Sequence, residues 1–341
     1  MTVKRACVLL LLSGMLPLSA TGGVFEQCVA IVPDAERLAC YDQVAAQSVL
    51  PSPVPAEPEN GTMAEQRPES LAEADSFLGK RWELDERSKN GTFRFREYKP
   101  VYILPFHHSN NPNQSPTSPA PDHSASSPMP SGSTDVKYQL SFKTKLWEDI
   151  FGDNGNLWFG YTQQSHWLLY NSQVSSPFRE TNYEPELIFS LRTDVDLPGM
   201  RWRMLNLGLA HQSNGRGLPL SRSWNRVYAQ FGLERDKLTL FVRPWLRLPE
   251  HSEKDDNPDI SRFMGNGDVQ IDYRSGENTY SALGRYSLSG NHGALQLSWG
   301  FPISRALKGY LQVFSGYGES LIDYNHNQTS IGLGFSLQEW R

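Results

Sequence analysis

His211 and Ser213 stand two residues apart in LNLGLAHQSNGR, and Asn225 follows in SRSWNRVY. Leu205, Leu207 and Leu209 share one parity, which His211 and Ser213 continue. In an extended strand, residues two apart have Cα atoms roughly 6.7 Å apart on the same face, a workable span for an imidazole to reach a hydroxyl. A hairpin folding near 215–222 would bring Asn225 beside His211. The three side chains then have roles in acyl transfer. His211 takes the proton of Ser213 as it attacks an ester carbonyl and returns it to the leaving alcohol. Asn225 orients the imidazole, as a carboxylate does in serine proteases. A neutral orienter stabilises an imidazolium less, so backbone amides near Gly215 or a bound cation would be needed for the developing charge. By itself, H-x-S in a strand reads as an ordinary polar pair on a surface.

The elements that must position these residues read as strands. Leu187, Phe189, Leu191, Val195 and Leu197 oppose Glu186, Ser190, Arg192, Asp194 and Asp196. The same alternation runs through 238–248, 295–301 and 331–337. Side chains of a strand point alternately to opposite faces, so each segment has an apolar face and a polar one. A soluble sandwich would bury the apolar face; a membrane barrel would turn it to lipid and the polar face to its lumen. Arg and Asp at polar positions, Tyr and Trp near strand ends and an export signal favour the barrel. The fold expected is all-β: a twelve-stranded antiparallel transmembrane β-barrel over 91–341, with an N-terminal periplasmic extension and linker over 21–90. The His211 and Ser213 parity is the leucine-bearing, lipid-facing one. A polar site there is costly unless the substrate is the bilayer itself or a second subunit covers it.

Residues 1–20 carry Lys4 and Arg5, an apolar run from Val8 to Leu18, and small residues around Ala20, which reads as a signal peptide. Export makes a disulfide between Cys28 and Cys40 the expected state of that pair. Residues 51–70 are rich in Pro and Glu and read as a linker, while His107 to Thr134 is a Ser, Pro and Asn stretch expected to be an exposed loop. A net charge of -5 argues against nucleic acid as a partner. A mean hydropathy of -0.50 does not argue against a barrel, whose strands dilute apolar residues with polar ones.

Between residue 136 and the C-terminus, the blocks YTQQSHWLLYN, SSPFRETNYEPEL, HQSNGR, SRSWNRVY, DDNPDI and SGYGESLIDYNHNQT strongly resemble the outer membrane phospholipase A family. The resemblance implies a twelve-stranded barrel, active as a calcium-bound homodimer, that hydrolyses acyl esters of phospholipids and lysophospholipids (phospholipase A1/A2 activity). The family's catalytic residues match Ser213, His211 and Asn225, and its oxyanion donor matches the Gly215 amide. Its Ca2+ ligands match the Arg216 carbonyl, the Ser221 hydroxyl and Ser175 from the opposite subunit. Gln163 matches the polar residue that pairs across the dimer interface. Oxygen donors with few carboxylates suit a calcium site of modest affinity.

The sequence departs from the family at Gly217-Leu218-Pro219, where an acidic residue is frequent, and at its Glu339-Trp340-Arg341 end, where many barrels have a terminal aromatic. DDNPDI is read as an ordinary turn rather than a further calcium loop. Two other functional classes compete: a passive pore keeping the fold without turnover, and a soluble periplasmic esterase.

Overall fold

The structure, a computed structural model, describes residue 28 and residues 31–47, 76–172, 177–304 and 306–337. The expected signal peptide, the 51–70 linker, Ser175 and the 339–341 terminus lie outside the described residues. The chain divides into two compact units, residues 1–66 and 67–341. In the first, helix α1 (Asp34–Gln47) carries Cys40, joined to Cys28 by a disulfide with a Cα separation of 5.6 Å.

The second unit begins with a short helix, α2 (Phe77–Trp82), and continues in strands. They are β1 (Phe95–Glu97), β2 (Tyr102–Ser109), β3 (Thr134–Trp147), β4 (Asn156–Trp167), β5 (Phe178–Leu197) and β6 (Met200–Ser213). After these come β7 (Ser223–Arg235), β8 (Leu238–Arg247), helix α3 (Ile260–Met264), β9 (Gly267–Ser275) and β10 (Asn278–Ser287). The last are β11 (His292–Pro302), β12 (Leu307–Tyr317) and β13 (Asn327–Leu337). From β2 to β13 each strand pairs antiparallel with the next, and β13 returns to β2 through Ile331↔His108 and its neighbours. The result is a closed twelve-stranded barrel. Both β1 and β2 pair with β3, so β1 is the detached start of the first strand, broken where Pro100 lacks a ladder donor.

Burial separates a membrane barrel from a sandwich. Leu209 is 52% exposed, and Leu187, Leu297 and Leu333 on other strands also face outward, while Lys143 and Lys145 are fully buried inside. Apolar outside and charged inside is the distribution that lipid requires. Closure through β13 and β2 satisfies the backbone of the twelve strands within the barrel. One rim has two-residue turns at 198–199, 236–237 and 276–277; the other has long connections at 110–133, 214–222 and 248–266. The short turns mark the periplasmic end and the long loops the extracellular end.

The lumen is occupied from both ends. Residues 76–90, grouped by sequence with the extension, instead pack inside the periplasmic end. Leu78, Trp82 and Leu84 meet Tyr98, Trp158, Ile188, Met204 and Phe241. The Ser76 side chain caps α2 by accepting from Gly79 N–H at 2.8 Å. At the extracellular end the 318–326 connection folds inward, burying Leu321 and Tyr324 against Trp224, Trp245, Ile260 and Met264. Paired charges lie between: Lys99 with Glu184 and Glu186, Arg226 with Glu184, Arg243 with Asp268. Among these charges lies a cavity of about 240 Å³.

Candidate active site

The hairpin of β6 and β7 builds the site because its two strands carry opposite requirements on their two faces. Inward, Gly208 leaves the space that the Tyr228 ring occupies, and Tyr228 donates to Glu186 at 2.8 Å. Trp224, fully buried, donates its indole N–H to Gln212 at 2.8 Å. With those side chains committed to the lumen, the alternate residues Leu207, Leu209, His211 and Ser213 turn outward. The register sets His211 opposite Asn225 and Ser213 opposite Ser223.

His211 Nδ1 lies 2.8 Å from Asn225 Oδ1. The orientation of that amide follows from its other end, where Asn225 Nδ2 donates to Glu250 Oε1 at 2.9 Å. A carboxylate can only accept there, so the amide oxygen faces the imidazole, and His211 carries its proton on Nδ1. Nε2 is left with its lone pair, as a general base requires. Among the described residues His211 is hydrogen-bonded to Asn225 and not to Ser213, which sits half-exposed two residues along the same face. Apo sites commonly show such loose nucleophile–base geometry.

Glu250 was not anticipated, although Leu246 and Leu248 share its outward parity and could have revealed it. It lies in the extracellular connection after β8, and partial burial pushes its carboxyl above the usual carboxylate range. The Asn225 donor works against that shift, and the Asp255 charge adds to it. A raised pKa means that the charged form, the better acceptor for Asn225, is lost at a higher pH than for an ordinary glutamate. Glu250→Gln, which cannot titrate, is expected to lower turnover about fivefold at neutral pH, the difference between a charge-assisted and a neutral hydrogen bond. It should also remove part of the acid-side decline. A pH–rate profile superimposable on the wild type would exclude the coupling.

The loop after Ser213 is organised by Asn214. Its side chain accepts from Arg222 N–H at 3.0 Å and donates to Leu220 O at 2.8 Å. Gly215 has φ +63°, and an added Cβ would sit 3.2 Å from the Tyr183 ring, so this position needs glycine on two counts. The Arg216 guanidinium turns back to β5, donating to Phe178 O at 3.0 Å with Nε 3.2 Å from Glu180. Ser221 donates to Asp256 Oδ2 at 2.7 Å, and Ser223 to the same oxygen at 3.1 Å. DDNPDI, read from sequence as a plain turn, is therefore also a carboxylate arm over this loop. The 110–133 connection joins it: His123 Nε2 is 3.0 Å from Asp256 Oδ1, and Ser118 donates to the Asp256 carbonyl at 2.6 Å. Expected to be an exposed loop, it buries Asn113, Ser118 and Ala120. Gln163 pairs in register with Tyr183, and Tyr183 with Ser213, so the three lie in one row across β4, β5 and β6.

A family model described as Phospholipase A1 matches residues 78–337, from the lumenal helix to the last strand. The chain belongs to the phospholipase A1 family. A family relative, the putative phospholipase A1 of Neisseria meningitidis serogroup B, is 40% identical over 97% of this chain and 95% of its own length. Phospholipase A1 of Escherichia coli K12 is 45% identical over 60% of this chain and 70% of that protein. Among solved structures, the outer membrane phospholipase A from Escherichia coli superposes with a TM-score of 0.65 at 36% identity, covering 75% of this chain and 95% of that one. The Salmonella typhi outer membrane phospholipase, a dimer with bound calcium, does so with a TM-score of 0.67 at 37% identity, covering 77% and 98%. This member of the phospholipase A1 family is thus an outer-membrane β-barrel.

Proposed function

We infer that the chain hydrolyses the acyl esters of phospholipids and lysophospholipids, with both A1 and A2 regiochemistry, as a calcium-dependent homodimer. Family membership supports ester hydrolysis. The observation that carries the residue assignment is the 2.8 Å contact of His211 with Asn225 on the lipid-facing wall, with Ser213 on the same face. In this reading Ser213 attacks the acyl carbonyl and His211 Nε2 accepts its proton. Asn225 holds the imidazolium by its side-chain oxygen. The oxyanion meets the Gly215 N–H, and His211 protonates the leaving glycerol oxygen. Water then repeats the sequence on the acyl-enzyme.

The residues near the loop fit a hard cation: the Ser221 hydroxyl shares an oxygen of Asp256, and the Arg216 carbonyl is close in sequence. Calcium, when bound, would supply positive charge for the developing oxyanion. Ser175 of a second subunit, on the family pattern, would complete the ligand set, with Gln163 pairing across the interface. The calcium-bound dimer of the Salmonella typhi relative supports this arrangement. A passive pore is disfavoured by a lumen occupied from both ends.

Cross-linking of the detergent-solubilised protein should rise with calcium in parallel with lipid turnover, and Gln163→Ala should lower the cross-linked fraction at any given calcium concentration. Turnover rising with calcium while cross-linking stays flat would remove the shared site. Gly215→Ala keeps the backbone N–H but strains the left-handed φ of +63° and crowds Tyr183, so it is expected to shift that donor and lower kcat by about tenfold. A kcat equal to the wild type would show that the conformation at 215 does not position the donor.

A further inference from the structure

Away from the β6–β7 hairpin, three neighbouring strands bring two imidazoles and a carboxylate together inside the lumen. His107 on β2 is the register partner of Asp135 on β3, and His166 lies on β4 beside them. All three are buried. His107 Nδ1 is 2.6 Å from Asp135 Oδ1, and His166 Nδ1 is 3.0 Å from Asp135 Oδ2. One ligand atom from each of the three falls within 4.8 Å of the others. We propose that His107, Asp135 and His166 form a binding site for a borderline transition-metal dication of the zinc class, separate from the calcium-type oxygen donors at the Ser221 loop.

The imidazole of His107 carries the argument. Its Nδ1 faces Asp135, while its Nε2 lies 2.9 Å from Glu319 Oε1. A neutral imidazole has one N–H, so between two carboxylates one of its nitrogens must turn a lone pair toward an anion. Repulsion is relieved only by a further positive charge at that junction, a second proton or a metal ion. The surroundings favour Nδ1 as the metal-facing atom. Glu319 is the carboxylate that accepts from Nε2–H, and it is itself fixed by Lys137 at 2.9 Å, Gln328 at 2.7 Å and Ser330 at 2.7 Å. A carboxylate behind a ligating histidine, fixing its tautomer and raising its basicity, is the usual support of such sites. Charge points the same way: Lys137 offsets Glu319, which leaves the Asp135 carboxylate to be balanced.

Ligand type selects the ion. Two imidazoles and one carboxylate suit zinc and its neighbours, whereas calcium takes oxygen donors. Gln164 and Glu319, which adjoin the cluster, line the lumenal cavity of about 240 Å³, while the three ligands themselves are buried beside it. Glu319 belongs to the inward-folded 318–326 connection, so an ion held here would tie β2, β3 and β4 to that connection through His107.

The test uses metal-stripped full-length protein in detergent, with calcium saturating so that oxygen-donor sites are filled. Titration with Zn2+ by calorimetry, and with Co2+ by its visible absorption, is expected to show one equivalent bound per chain. His107→Gln with His166→Gln should abolish that equivalent, Ser213→Ala should keep it, and Glu319→Gln should weaken it about 10- to 100-fold. Heat-modifiable gel migration verifies that each variant is folded. Wild-type protein that takes up neither ion overturns the proposal without reliance on any variant, and so does an equivalent that survives the double histidine substitution.

Discussion

Ser213→Ala is expected to lower acyl release from phospholipid vesicles by about 10,000-fold or more, at saturating calcium, with the barrel intact. Losses of that order follow removal of a nucleophile acting as one unit with its base. The position makes the experiment clean. Ser213 ends β6 on the outward face, half-exposed, and removing its hydroxyl opens no cavity in the packed lumen. Surface changes of this kind usually leave stability within about 0.5 kcal/mol. Unaltered heat-modifiable migration with turnover lost would therefore report chemistry alone. Turnover within tenfold of wild type would instead mean that the hydroxyl beside His211 is not the attacking group. The contact of 2.8 Å between His211 and Asn225 would then serve only the hairpin.

Calcium removal is expected to have the next largest effect. Chelation should reduce turnover on the order of 100- to 1,000-fold, as loss of the principal oxyanion stabiliser does elsewhere, and added calcium should restore it. Asp256→Asn separates the cation from the rest of the site. Asparagine keeps an oxygen for the Ser221 and Ser223 hydroxyls, which now meet Asp256 Oδ2 at 2.7 and 3.1 Å, but it removes the negative charge. The calcium concentration for half-maximal turnover should rise by about tenfold or more, because charge count sets the affinity of oxygen-ligand sites. Turnover at saturating calcium should be retained. A half-saturation point unchanged by the substitution would place the ion away from Asp256, and chelation without effect would remove calcium from the reaction.

The barrel and the hairpin were legible for the same physical reason: both are set by period-two patterns within single strands. Leu205, Leu207 and Leu209 fix the face on which His211 and Ser213 emerge, and antiparallel pairing with the next strand, β7, brings Asn225 opposite. Alternation alone left a sandwich open, because both folds separate an apolar face from a polar one. The fully buried Lys143 and Lys145 against the outward Leu209 decide between them. Contacts between distant segments left no such pattern. Residues 76–90 read as part of an extension, yet Leu78 N–H donates to Glu234 across 156 positions. DDNPDI read as a turn, because nothing in its composition reports that Asp256 meets Ser221 and, 133 positions away, His123. His107 and His166 carry no local signal either: the registers of β2 and β4 on β3, across a long connection, set them around Asp135.

Sequence alone determined which residues face lipid, which face the lumen, and that an imidazole and a hydroxyl share the outer wall. Those are local consequences of side-chain direction along a strand. Tertiary structure decided which carboxylates stand behind them: Glu250 at Asn225, Asp256 at Ser221 and Glu319 at His107. Each comes from a connection whose path is set by packing around the barrel mouth, where neighbours in space are remote along the chain and no periodicity records them.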